Sequence, residues 1–392
     1  MFTKSILIGA NSSRLVLAWL WNTKAMPEKE LILHVGFHKS GTSALQESFS
    51  AQRAELKALG IWYPDIGRKA HHRIAWALTQ KPWGWKTRGG QITPFRHFTS
   101  LVRKINGSKH QKVLLSSEFF SELTIDQIQK IAEAVKNRDI KILFTLRPLV
   151  KVLSSSYQQY LKYGTKVDYV QWLHSVLDEP GVSKVNPTFW KRHLHGDVVS
   201  TWAKVFGSDA VTVLIADESR PEFLFDSLSQ YLGLSTGFLK DQGTGTNRSL
   251  SLEEIALLLE LNRTFPKERE WSEYLTFIRN GYVRQLTDRV PIKEDSAKLS
   301  TPRWAIDKAN SIAADSKNTI ASLRVKVIGD LQSLDSASVA EGEPSYPTSI
   351  DIATVSAAML GFDRNLARRV PVRWILSALK KRVRDQLRFL GR

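Results

Sequence analysis

Short apolar runs recur along the chain, and most of them end at a polar residue or a glycine. Four of them are Leu31 to Val35, Lys112 to Ser116, Ile140 to Leu146 and Ala210 to Ile215. Runs of this length that do not alternate with polar residues are typical of strands buried on both faces of a parallel sheet. We therefore predict four buried strands.

Stretches with helical spacing lie between these runs. A helix is predicted from about Thr42, and a capping box at Ser251 and Glu254 predicts another. Strands that alternate with helices predict an α/β fold, with a mostly parallel sheet flanked by helices. The apolar positions at helical spacing are Leu45, Phe49, Leu56 and Leu59 after the first strand, and Leu149, Leu153, Tyr157 and Leu161 after the third.

A phosphate-binding loop is predicted where the first strand meets the first helix. Residues 36–43 read GFHKSGTS, with the two glycines of the nucleotide-binding pattern G-x-x-x-x-G-K-[ST]. Backbone amides and the helix N-terminus could hold an oxyanion there. Thr42 stands where that pattern has lysine, and Lys39 lies three residues earlier. A lysine inside the loop suits stabilisation of a leaving phosphate without a magnesium ion.

These residues resemble the 5′-phosphosulfate loop of sulfotransferases, whose usual form is G-x-x-K-[ST]-G-T-[ST]. The third strand runs into Arg147, and Ser155 follows eight residues later, which is a spacing that the family also shows. The resemblance implies a P-loop nucleotide-binding type of fold and 3′-phosphoadenosine 5′-phosphosulfate as donor, with no metal required. It implies that Arg147 and Ser155 bind the donor's 3′-phosphate. The loop residues implied to bind the donor are His38, Lys39, Ser40, Gly41, Thr42 and Ser43.

Lys39 is the first predicted catalytic residue, and a base must also take a proton from the acceptor. Glu118 follows the second strand and should lie at the carboxyl edge of the sheet beside the loop. Its position resembles the strand end where cytosolic sulfotransferases carry a catalytic histidine. His71 and His72 are competing bases, of which we favour His72 because Ala75 and Trp76 follow at helical spacing.

Arg248 is a further predicted donor contact. It lies in a glycine-containing segment, residues 243–249, that precedes the capped helix. The segment resembles in position the one that closes over the 3′-phosphate in several sulfotransferases.

Charge and composition point to anionic partners. The net charge is +18, and the chain has no cysteine, which leaves out disulfides and a cysteine nucleophile. Residues 363–392 combine basic residues with an apolar stripe, which predicts an amphipathic helix that could lie on an anionic membrane. We expect a glycan or glycolipid acceptor and no nucleic acid. We also expect a cytoplasmic protein, peripheral at the inner face of the membrane.

The predicted organisation has five parts. They are an N-terminal leader (1–29), a sulfotransferase domain (30–285), a helical extension (286–332), a linker (333–362) and the basic tail (363–392). Two other functions stay open, a P-loop kinase or NTPase and a basic membrane-associated adaptor with an inactive nucleotide-binding fold. The tryptophans between the first helix and the second strand would suit stacking on sugar rings. They are Trp62, Trp76, Trp83 and Trp85.

Overall fold

The computed structural model describes the chain from residue 29 to residue 390 with several gaps. The described ranges are 29–82, 91–181, 183, 185–243, 248–291, 296–369 and 372–390. Most of the predicted leader, together with Trp83 and Trp85, lies outside them.

A parallel sheet forms the centre of the described structure. Its six strands run in the spatial order β2-β3-β1-β4-β5-β6, and every neighbouring pair is parallel. The α/β fold class with a parallel sheet is therefore confirmed. The strands are β1 (Glu30–His34), β2 (Ile61–Trp62), β3 (Lys112–Ser116), β4 (Asp139–Leu146), β5 (Val211–Ile215) and β6 (Lys326–Ile328).

Helices connect the strands and cover the sheet. Short 3₁₀ helices span Glu118–Glu122 and Ser208–Ala210, and a π-helix spans Leu275–Val283. The α-helices are α1 (Thr42–Ala51), α2 (Arg53–Ala58), α3 (His72–Thr79), α4 (Arg96–Asn106), α5 (Ile125–Ala134), α6 (Leu149–Leu161), α7 (Tyr169–Leu177), α8 (Phe189–His193), α9 (His195–Phe206), α10 (Phe223–Leu232), α11 (Leu252–Thr264), α12 (Trp271–Tyr274), α13 (Arg284–Arg289), α14 (Arg303–Ser322), α15 (Ser333–Ser336), α16 (Ile352–Arg369) and α17 (Val372–Leu390).

Both faces of the sheet are buried, which explains the unbroken apolar runs. Successive strand side chains point to opposite faces. In β1, Leu31 and Leu33 join the core on one face, where Trp202 of α9 also packs. Ile32 joins the core on the other face, where it meets Phe49 of α1.

The C-terminal third of the chain packs onto this unit. Strand β6 follows α14 and extends the sheet beside β5, within the stretch predicted as a helical extension. The stretch predicted as a linker contains α15, whose Leu334 is buried. The Tyr346 hydroxyl there accepts a hydrogen bond from the backbone N–H of Tyr169 (3.0 Å). Leu334 and Tyr346 of this stretch are thus used for packing, whereas Ile352, Met359 and Leu360 are exposed.

Gly196 allows α9 and α14 to approach closely. A Cβ atom at Gly196 would lie 2.9 Å from the Ser316 Cα atom. We predict that Gly196→Ala lowers the free energy of unfolding by about 1–3 kcal/mol, because the two helices must separate. Denaturant unfolding measures this.

Gly107→Ala is the matched control for Gly196→Ala. Gly107 has a right-handed backbone, and its nearest neighbour would lie at an ordinary 3.5 Å. The control should change stability by about 0.5 kcal/mol or less. Equal effects of the two substitutions would contradict the close-packing explanation.

Candidate active site

The loop between β1 and α1 has a backbone that depends on its two glycines. Gly36 and Gly41 have φ angles of 52° and 86°. A Cβ at Gly36 would lie 2.4 Å from Thr42 Cγ2, and one at Gly41 would lie 2.6 Å from Leu224 Cδ2. No side chain caps α1. Because the first amides of a helix have no partner within the helix, those of α1 can donate to a ligand.

A chain of buried hydrogen bonds holds this loop on the sheet. The Ser40 hydroxyl donates to the Phe37 carbonyl (2.7 Å) and lies 2.9 Å from the Thr145 hydroxyl. His34 Nε2 lies 3.2 Å from Thr145 Oγ1, and His34 Nδ1 lies 2.8 Å from Ser116 Oγ. The loop is therefore tied to the ends of β1, β3 and β4.

The number of protons available fixes which atom is the donor in each hydrogen bond of this chain. Ser40 uses its proton on Phe37, so Thr145 donates to Ser40 and accepts from His34 Nε2–H. His34 Nδ1 then accepts from Ser116. Burial lowers the pKa of His34 to about 4, although the negative charge of Glu118 opposes the shift. His34 is thus neutral near pH 7, as the chain requires.

Gln46 of α1 extends the chain to the predicted base. Its Nε2 donates to Ser116 Oγ (3.2 Å) and to Glu118 Oε2 (3.1 Å). An amide nitrogen carries two protons, so both bonds form together. The position of Glu118 is thereby coupled to that of the loop.

Two partly buried lysines place positive charge beside the loop. Lys39 Nζ donates to Gln159 Oε1 (3.2 Å) on α6, and Lys162 lies at the end of the same helix. Burial lowers the pKa of each lysine to about 8, and nearby cations add to both shifts, Lys162 acting on Lys39 and Arg248 on Lys162. Within the described ranges neither lysine has a carboxylate at ion-pair distance. The site therefore favours an anion.

Arg147 lies where β4 meets α6, as predicted, and it shares a carboxylate with Lys151. The Arg147 guanidinium is paired with Glu218, and Lys151 Nζ donates to the other Glu218 oxygen (2.9 Å). Ser155 donates to the Val152 carbonyl (3.0 Å) one turn back along α6. The charge of Arg147 reaches Lys39. The loop and the Arg147 site are therefore electrostatically connected.

Arg248 makes a two-pronged ion pair with Glu254, with nitrogen–oxygen distances of 2.7 and 2.8 Å. It also donates to the Leu286 carbonyl (2.7 Å). These partners fix the guanidinium. Its charge still acts on Lys162. Its role as a donor contact stays a prediction.

Glu118 and His72 lie together at the carboxyl edge of the sheet. His72 Nδ1 lies 2.9 Å from Ser117 Oγ and 3.7 Å from Glu118 Oε2. Burial raises the pKa of Glu118, but positive charge on His72 and His38 and the Gln46 hydrogen bond outweigh it, so the net pKa is lowered. Burial lowers the pKa of His72. At neutral pH the pair is an ionised carboxylate beside a neutral imidazole.

His71 is buried and faces away from this pair. Its Nδ1 accepts from the Ser116 N–H (3.1 Å), and its Nε2 donates to the Pro64 carbonyl (3.0 Å). Both ring nitrogens are occupied, and burial lowers the pKa of His71 to about 4. Of the two adjacent histidines, His72 is the one that lies beside Glu118.

His38 turns its side chain towards the 3₁₀ helix after β3. Its Nε2 lies 3.3 Å from Glu122 Oε1, and Arg192 Nε donates to the same oxygen (2.8 Å). The partners of Glu122 outweigh its burial and lower its pKa to about 2. The side chain of His38 therefore lies beside Glu122, and its role as a donor contact stays a prediction.

A ring cluster lies next to His72. The rings of His38, His72 and Trp76 each have their centroid within 5.1 Å of that of Phe119. Arg192 adds a guanidinium 5.7 Å from the same ring. In the described part of the chain, no group of three or more histidine, aspartate or glutamate side chains is arranged to hold a metal ion.

Sequence reasoning missed Lys162, Gln159 and Gln46. A usable signal exists for the first two, because Ser155, Gln159 and Lys162 recur at positions i, i+4 and i+7 on one helix face. Gln46 lies four residues after Thr42, within the predicted helix. Its link to Glu118 depends on how α1 sits over β3, which no local pattern encodes.

No protein-family model matches the chain, and no curated protein matches it significantly. Among solved structures, it resembles a sulfotransferase from Alicyclobacillus acidocaldarius, with a TM-score of 0.40 and 20% sequence identity. The match covers 64% of this chain and 99% of that one. These values are too low to assign an activity or a ligand.

Thr145 links the loop to His34, which leads to a prediction. Thr145→Val removes the hydroxyl at nearly constant shape and leaves the Nε2–H of His34 without an acceptor. We expect the free energy of unfolding to fall by about 1–3 kcal/mol. Chemical denaturation of the purified variant measures this.

Thr145→Ser is the control, because it keeps the hydroxyl while it also removes a methyl group. It should retain more stability than Thr145→Val. If the serine variant were the less stable of the two, the hydrogen-bond chain would not be what holds the loop.

Proposed function

We propose that this chain is a sulfotransferase that moves a sulfuryl group from 3′-phosphoadenosine 5′-phosphosulfate to a hydroxyl or amine of a glycan or glycolipid. The observation that carries the proposal is the pair Lys39 and Lys162, which place partly buried positive charge, with lowered pKa values, beside a glycine-shaped loop. Such charge needs an anion to offset its burial. The donor supplies a phosphosulfate and a 3′-phosphate.

In the proposed reaction the acceptor oxygen or nitrogen attacks sulfur, and the bond from sulfur to the bridging oxygen breaks. The electron pair stays on the 5′-phosphate of 3′,5′-diphosphoadenosine. Lys39 stabilises that developing charge from inside the loop, and the first amides of α1 hold the phosphate. This role explains why a lysine lies in the loop itself rather than at position 42.

In the proposed complex the donor's 3′-phosphate is bound by Arg147, Lys151 and Ser155. Glu218 now pairs with both Arg147 and Lys151 and offsets one of their two positive charges, so a bound phosphate would replace it as their anionic partner. Ser155 can turn its hydroxyl from the Val152 carbonyl to a phosphate oxygen. A guanidinium and an ammonium at the carboxyl edge of a parallel sheet suit this function.

In the proposed reaction the Glu118–His72 pair takes the proton that the acceptor loses. Glu118 is ionised and fixed by Gln46, and His72 is neutral, so the pair can accept a proton near pH 7. Phe119 and Trp76 next to His72 supply flat apolar surfaces of the kind that sugar rings stack on. The glycan or glycolipid assignment rests on these rings.

Lys39→Ala tests the proposal. We expect sulfuryl transfer from the donor to fall by about 10³-fold, because the leaving oxygen loses its nearest charge. Binding of 3′,5′-diphosphoadenosine, measured by calorimetry without metal, should weaken by a smaller factor. Lys130→Ala removes an exposed lysine on α5 and is the control for charge.

The same calorimetry tests pH dependence. The lysine pKa of about 8 means that Lys39 and Lys162 lose their protons as pH rises through 8. Affinity for 3′,5′-diphosphoadenosine should therefore fall above pH 8, by up to about tenfold per pH unit for each lysine. Lys39→Ala should make this fall shallower. Tighter binding of ATP with magnesium than of 3′,5′-diphosphoadenosine would favour a P-loop kinase or NTPase.

Substitutions at the base pair give a separate prediction. Glu118→Gln keeps the shape and the contact with Gln46 but loses the carboxylate, so kcat should fall by about 10²-fold or more. His72→Asn should also lower kcat. Affinity for 3′,5′-diphosphoadenosine should change little in either variant. The variant that has lost the base should no longer show the pH dependence of kcat.

A result in which both variants keep full kcat but lose nucleotide affinity would place Glu118 and His72 in the donor site instead. His71 provides the contrasting variant. Since both of its ring nitrogens bind backbone, His71→Asn should lower stability and leave kcat per folded molecule nearly unchanged.

A further inference from the structure

Helix α17 presents an apolar stripe that no described part of the chain covers. Each side chain of the stripe is between 48 and 69% exposed. No helix in the described ranges is both long and apolar enough to cross a membrane. The stripe consists of Val372, Ile375, Leu376, Leu379, Val383 and Leu387.

The stripe has a defined width and basic edges. At about 100° per residue, its members fall within about 60° of Val372 around the helix axis. Lys380 and Arg382 lie about 80° to either side, so long basic side chains flank the stripe on both edges. Residues 372–387 contain five basic residues and one acidic residue.

The helix is attached to the rest of the protein by its other side. The Trp374 ring stacks on Phe277 of the π-helix, with centroids 6.1 Å apart. Arg373 is paired with Glu270. Trp374 lies about 160° from Val372 around the axis, so this contact turns the stripe away from the protein.

We propose that the stripe formed by Val372, Ile375, Leu376, Leu379, Val383 and Leu387 docks α17 in the plane of an anionic lipid surface. The apolar side chains enter the boundary between headgroups and acyl chains. Lys380 and Arg382 extend to the anionic headgroups on either side. The Trp374 contact keeps the remainder of the protein on the aqueous side.

Charge favours lipid over a second copy of the helix as the occupant. Pairing two copies through the stripe would bring two strongly basic segments together, which is unfavourable at ordinary salt concentrations. Anionic headgroups instead attract and neutralise the same charges, and each lysine or arginine near the surface adds to this attraction.

Flotation of the full chain with lipid vesicles tests the docking. Vesicles of phosphatidylcholine with phosphatidylglycerol should bind the protein, and vesicles of phosphatidylcholine alone should bind it much more weakly. Leu379→Glu places a carboxylate on the stripe. Ser377→Glu places the same charge on the exposed polar side of α17.

These two variants have equal net charge, so their difference isolates the apolar contact. We expect Leu379→Glu to bind anionic vesicles about tenfold more weakly than Ser377→Glu. The double variant Lys380→Gln and Arg382→Gln should lose affinity for the anionic vesicles only. Lys39→Ala should bind anionic vesicles as strongly as the parent does, because Lys39 is not part of the stripe. The vesicle result is therefore independent of whether the sulfotransferase proposal holds.

Three results would overturn the proposal. In the first, Leu379→Glu and Ser377→Glu lose binding equally, which would mean that net charge alone attracts the vesicles. In the second, neutral and anionic vesicles bind equally well. In the third, sedimentation shows self-association that Leu379→Glu abolishes while vesicle binding is unchanged, which would make a second copy the occupant.

Discussion

The hydrogen-bond chain from Phe37 to Glu118 is the constraint on which the site depends. It passes through three strand ends and α1, and every donor in it has one acceptor available. A protonated His34 would have to donate from Nδ1 to Ser116 Oγ, which would leave the Ser116 hydroxyl proton without the acceptor that it has in this chain. The neutral imidazole is therefore a structural part of the loop, and the sheet positions the loop and the carboxylate as one unit.

The charged groups around this unit differ in whether an opposite charge lies at ion-pair distance. Glu122 with Arg192 and Glu254 with Arg248 form close ion pairs. The lysines beside the loop have only neutral or more distant partners. The charges of the ion pairs are thus compensated within the protein, whereas the positive charges of Lys39 and Lys162 are not, which is the difference expected between a structural ion-pair network and a binding site.

Local patterns predicted much of this architecture. The runs that became β1, β3, β4 and β5 are contiguous in sequence, and so is the loop from Gly36 to Ser43. Strands β2 and β6 were missed because they are edge strands of two and three residues, too short to show a periodic pattern. Gln46 and Lys162 depend on the packing of helices on the sheet. Sequence patterns therefore did not predict the contacts between residues that are distant in sequence.

Two properties of Lys39, its backbone conformation and its desolvated charge, are unfavourable for the stability of the folded loop. Its φ angle of 69° lies in the left-handed region, which costs a residue with a side chain about 1–2 kcal/mol. Glycine would remove that strain, and it would also remove the buried charge whose pKa is already lowered. On both counts the folded loop would be more stable without this lysine. Selection for stability alone would therefore remove the lysine, and under the proposed function its position is one where stability is given up for chemistry.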